Sequence, residues 1–180
     1  MQQRPHTLLA AFAPLLLALL AGLTEARGQT LQIDPSTASW IEGFADFVHW
    51  EDAENAEAIT IAVIGAPEVA FYLSQRAETR QSEPRLEVEI LTPEDSFEGV
   101  DIVFVGGSNR EQWEEILSKC ASNRTLSIGS QDGFLEAGGC VEFVVRRNQL
   151  RFQIADEHTG ACQVTLSSKL LELAIEPNRR

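Results

Sequence analysis

Basic side chains are scarce in this chain of 180 residues: 14 Lys and Arg stand against 27 Asp and Glu, for a net charge of −13. Nucleic-acid affinity comes mainly from cationic groups that release counterions from phosphate. That balance therefore argues against a nucleic-acid partner. Histidine is limited to His6, His49 and His158, and cysteine to Cys120, Cys140 and Cys162, too widely spaced for a compact zinc pattern. The chain also lacks G-x-S-x-G, H-E-x-x-H, C-x-x-C, a Walker lysine loop and a G-x-G-x-x-G turn. With no nucleophile beside a general base, the expectation is a protein that is not an enzyme and needs no cofactor or metal. Asp132, Glu142, Asp156 and Glu157 are better read as solvated surface than as metal ligands, because acids are frequent throughout. What is present is ordinary for one globular core: 44% hydrophobic and 23% charged residues exclude both disorder and a polytopic membrane protein.

The N-terminus carries a different signal. Met1 to His6 has one Arg and no acid, Leu8 to Leu23 is almost wholly apolar, and small residues follow. This is the order of a secretory signal peptide, and the apolar run is shorter than the roughly 20 residues that a membrane-spanning helix requires. Cleavage is expected after Ala26 or Gly28, giving a signal peptide over 1–28 and one domain over 29–180. Export would carry the three cysteines into an oxidising compartment, where two can pair and one remains. Cys140 opens a predicted strand and Cys162 follows the next hairpin, which makes them the favoured pair. The other reading is three small buried hydrophobes.

Periodicity sets out the domain. Trp40, Ile41, Phe44, Phe47 and Val48 predict an amphipathic helix ending near His49 and Trp50, with Ser36 as its cap. Ile59 to Ile64 and Ile102 to Val105 are short, β-branched buried strands, Leu86 to Leu91 alternates apolar and acidic residues, and Thr125 to Ile128 makes a fourth strand. Helices are predicted over Val69 to Thr79 and Glu111 to Cys120, and a short helical turn over Asp132 to Ala137. Cys140 to Arg146 and Leu150 to Ile154 flank a tight turn and form a hairpin. Val164 to Ile175 reads as a final helix, and Thr79 to Pro84 as a mobile loop. Strands alternating with helices give an α/β fold: a mainly parallel sheet flanked by helices, with a C-terminal antiparallel hairpin and a final helix.

Two groups of residues are candidates for function. Gly65, Gly106, Gly107 and Gly129 end three parallel strands, and Ser108, Asn109 and Ser130 follow two of them. In an open parallel sheet these ends share one edge with helix N-termini, which suits a small anionic or polar ligand. The same residues also suit tight turns and helix caps. The aromatic stripe Trp40, Phe44, Phe47 and Trp50 offers more ring area than one flank of a small sheet requires, and so suggests a surface for a second copy or another protein. Complete burial against the sheet is the competing reading.

The order of these pieces resembles the YfiR family of periplasmic regulators from Trp40 to Ala174. IEGFADFVHW is similar to the family's aromatic helix, ITIAVIG to its first strand, and DIVFVGGSNRE to its strand-to-helix passage. DGFLEAGGCVEFVVRRNQLRFQIA resembles its glycine-phenylalanine, Gly-Gly and hairpin pattern, and TLSSKLLELA its last helix. Departures are Glu51 in place of the usual Pro, Cys140 where Met is common, and Ala155 where Asn usually follows the hairpin. The resemblance implies a non-enzymatic periplasmic protein that restrains an inner-membrane diguanylate cyclase by touching the cyclase's periplasmic portion. Loss of that restraint would raise cyclic di-GMP.

Overall fold

The computed structural model describes residues 35–50, 56–107 and 110–177. The expected signal peptide over 1–28, Glu51, Ser108 and Asn109 lie outside the described residues. Chain order is α1 (Pro35–Phe47), β1 (Val48–Trp50), β2 (Ala58–Ile64), α2 (Pro67–Thr79), β3 (Arg85–Ile90), β4 (Ile102–Val105), α3 (Arg110–Asn123), β5 (Leu126–Gly129), β6 (Val141–Arg146), β7 (Gln149–Ile154), α4 (Asp156–Ala161), β8 (Val164–Leu166) and α5 (Ser168–Leu173). Six strands form one sheet in the order β3-β2-β4-β5-β6-β7. The first five are parallel, and β7 pairs antiparallel with β6 across the hairpin. The α/β architecture expected from the alternating pattern is the one observed.

Period-2 alternation divides the core into two layers. Ile59, Ile61, Val63, Ile102, Phe104, Leu126, Ile128 and Phe143 pack against α1 and α2 on one face. Ala62, Ile64, Val103 and Val105 face Trp113, Ile116 and Cys120 of α3, together with Phe97, Val100 and Phe134 from connections. Covering both faces explains why the central strands read as continuous apolar runs rather than alternating ones.

Four details differ from the sequence expectation. The first helix ends at Phe47 rather than near Trp50, because Val48, His49 and Trp50 leave it to pair antiparallel with Leu166, Thr165 and Val164. Ser36 lies inside α1, not at its cap. The segment expected as one helix from Val164 to Ile175 divides into β8 and α5, with Ser167 capping α5 by accepting from Leu170 N at 3.3 Å. Thr79 to Pro84 is anchored at its start: the Arg80 side chain, 5% exposed, pairs with Glu42 and Asp46 of α1 and donates to Pro84 O. Asp46 first, and Glu42 after it, raise the Arg80 pKa against the cost of burial.

Candidate functional site

Cys140 closes the turn before β6, and Cys162 follows α4. The hairpin returns the chain so that the two sulfurs lie 3.7 Å apart, buried, on the α1 face of the sheet. Both are free thiols. Cys140 N donates to Ser127 Oγ at 3.0 Å, and Cys140 O accepts from Ala155 N at 2.9 Å, which fixes that residue between β5 and the end of the hairpin. His158 Nδ1 lies 2.8 Å from Gly139 O, and Cys162 N donates to His158 O, so α4 is held over the same spot. The hydrogen bond shared with Cys162 draws the Cys140 thiol down to about 6; burial opposes this, and Ser127 and His158 add to it. That same bond and burial push Cys162 up. Two buried thiols at this distance are the arrangement in which one sulfur, once deprotonated, can attack an oxidant and the other complete a disulfide. Cys120 is different: it belongs to the layer behind the sheet, and burial pushes its pKa up.

The glycine-lined strand ends do meet at one edge, and there they admit neighbouring protein atoms. Gly65, at φ +68°, lies so close to Gly107 that an added Cβ would sit 2.6 Å from the Gly107 carbonyl oxygen. A Cβ on Gly106 would sit 2.4 Å from Ala66 Cβ. Over Gly129 the space is filled by Phe134, whose ring would be 2.2 Å from an added Cβ, and Gly139 meets the same ring. Ser130 Oγ and Gln131 Nε2 both donate to Gly106 O, at 3.2 and 2.9 Å. At each of these glycines a side chain would meet neighbouring main chain, Ala66 or Phe134.

The aromatic stripe is split by depth. Phe44 is fully buried and edge-to-face with Phe143 and Phe152, at 6.2 and 5.1 Å between centroids, so it belongs to the core and cannot itself meet a partner. Trp40, Phe47 and Trp50 are half-buried and pack against that core from its rim. Trp40 lies edge-to-face on Phe152 at 5.3 Å, and Trp50 Nε1 donates to Arg124 O at 3.1 Å. The thiol pair and this rim are joined through β8, which begins two residues after Cys162 and pairs with β1.

Glu142, read from sequence as surface, is buried in β6 and accepts from Leu135 N at 3.0 Å. It thereby holds the turn that places Phe134 on Gly129. Burial raises its pKa, Leu135 N opposes this, and Glu136 and Asp132 add to the rise. Its position next to inward-facing Val141 and Phe143 gave no alternation signal, because β6 is covered on both faces at its start. No group of three His, Cys, Asp or Glu residues able to hold a metal ion occurs among the described residues.

No curated protein matches the chain. Among solved structures, the chain is similar to a conserved domain protein from Vibrio cholerae O1 biovar El Tor strain N16961, with TM-score 0.55 and 10% identity over 79% of this chain and 59% of that one. It is also compared with the ABC domain in complex with L-Trp from Streptococcus pneumonia, with TM-score 0.49 and 14% identity over 66% and 54% of the two chains. The chain thus spans less than two thirds of the length of either protein, and the Vibrio likeness is one of fold. A family model described as YfiR/HmsC-like matches residues 35–175, nearly all of the described fold. The chain belongs to the YfiR/HmsC-like family.

Proposed function

We propose that this chain is a periplasmic binding protein that catalyses no reaction and represses an inner-membrane diguanylate cyclase by contacting the cyclase's periplasmic portion. The observation that carries this reading is the family match over residues 35–175. An exported domain fits the N-terminal apolar run, and no helix among the described residues is long and apolar enough to cross a membrane. The half-buried rim Trp40, Phe47 and Trp50 is the face offered to the cyclase or to a second copy, and Phe44 lies in the core beneath it. Restraint requires tighter binding to the inactive cyclase than to the active one, and any signal must change that difference. Oxidation of Cys140 and Cys162 supplies such a signal, because a cystine there would bind the hairpin to the segment leading into β8 and so to β1 beside Trp50.

The test is capture from detergent-solubilised inner membrane with the purified exported protein as bait. A diguanylate cyclase retained by the wild type and lost with Trp40→Ala supports the reading. Retention of no cyclase overturns it.

A further inference from the structure

The two outer strands of the sheet are finished differently. Beyond β7 the chain returns: Ile175 N donates to Phe152 O at 2.9 Å, and Gln153 Nε2 donates to Glu176 O at 3.1 Å. Beyond β3 no strand follows among the described residues. Arg85 N donates to Glu57 O and Leu91 N to Val63 O, both at 3.1 Å, so the odd-numbered residues of β3 serve β2. Peptide groups alternate in direction along a strand, which turns the N–H and C=O of Leu86, Val88 and Ile90 outward.

The two faces of β3 differ in character. Leu86, Val88 and Ile90 share one face of β3, the face on which Leu86 and Val88 join the layer packed against α2; Ile90, at the strand end, is 67% exposed. On α2, Phe71 is 58% exposed and lines, with Pro67, Glu68 and Tyr72, an open cleft of about 290 Å³. Glu87 and Glu89 stand exposed on the opposite face of β3. Arg85 stands on that same exposed face and pairs with Glu87 at 3.4 Å, which leaves Glu89 and one excess negative charge on the strand, on a chain of net charge −13. A second copy would bring together two chains of net charge −13. Twofold antiparallel pairing centred on Val88, with the outward groups of Leu86, Val88 and Ile90 bonded, would also set Glu87 opposite Glu89 twice.

We propose that β3 receives an extended segment of a partner protein as a seventh strand, with basic and apolar residues alternating along that segment. Its main chain bonds to Leu86, Val88 and Ile90, its apolar side chains lie on the Ile90 face of the strand, where α2 packs, and its basic side chains face Glu87 and Glu89.

The experiment uses the purified exported protein and the probe peptide Lys-Val-Lys-Val-Arg-Val-Lys, with a Glu-for-basic version as control. The basic peptide is expected to bind saturably and to slow amide exchange at Leu86, Val88 and Ile90 by about tenfold or more, while the acidic one does not bind. Ile90→Pro removes an outward N–H at an exposed position and no bond to β2, so it keeps the fold and weakens peptide binding by about tenfold. Absence of saturable binding, or binding that leaves those three amides exchanging at their free rate, overturns the proposal. Protection of the same amides by self-association alone overturns the choice of occupant.

Discussion

Cys140 Sγ lies 3.7 Å from Cys162 Sγ, on the face of the sheet opposite Cys120. Three cysteines allow three pairings, and the sheet leaves room for one. Under an added disulfide oxidant the two thiols are expected to surrender two electrons and two protons and form a single cystine, with Cys120 still a thiol. Closing a loop of about 20 residues contributes roughly 3 kcal/mol in the chain-entropy estimate, so reduction should lower the melting temperature. Non-reducing peptide mapping checks this, and three free thiols after oxidation would contradict it.

Glycine substitutions separate packing from ligand binding at the strand ends. Gly129→Ala would drive a methyl group into Phe134, and Gly65→Ala would add both that kind of clash, against Gly107, and a left-handed backbone strain. Each is expected to cost about 1–3 kcal/mol in urea unfolding with no ligand present. Variants as stable as the wild type would show that these close approaches do not hold the fold.

Much of this arrangement was legible beforehand. The β-branched runs Ile59 to Ile64 and Ile102 to Val105 announced buried strands because both faces are covered, and Arg147-Asn148-Gln149 announced a hairpin, with Arg147 and Asn148 indeed at positive φ. What stayed hidden depended on distant partners. Val48 to Trp50 continued the helical spacing, and only pairing with β8 drew it into a strand. Residues 156–161 (DEHTGA) show no apolar period, so α4 left no mark. The close approach of Phe134 to Gly129 likewise had no local mark.

Depth along α1 predicts a graded response. Phe44→Ala should cost about 3–5 kcal/mol, as expected for a fully buried ring. Trp40→Ala and Trp50→Ala, at half-buried positions, should cost about 1–3 kcal/mol while weakening association per folded molecule. Denaturant unfolding combined with sedimentation distinguishes the two effects. Equal destabilisation at all three positions, with association unchanged, would place the partner face elsewhere.

Stability should rise on mild acidification. Burial raises the Glu142 pKa, and it also raises that of Asp101, which accepts from Thr60 N at 2.8 Å. Such groups bind more protons folded than unfolded, so their contribution is complete below the ordinary carboxylate range and is lost as pH rises through the raised folded value. Melting temperature is therefore expected to be higher near about pH 5 than at pH 7. Glu142→Gln, which keeps an oxygen for Leu135 N, should flatten that slope and leave the part due to Asp101. An unchanged slope in the variant would show that Glu142 does not contribute to it.

Repression of a cyclase is tested most directly by the rate at which GTP becomes cyclic di-GMP in membrane vesicles that carry the captured cyclase with its periplasmic side outward. Adding the purified protein outside the vesicles should lower that rate saturably, and Trp40→Ala should require a higher concentration for the same effect. A rate unchanged by saturating wild-type protein would contradict the account.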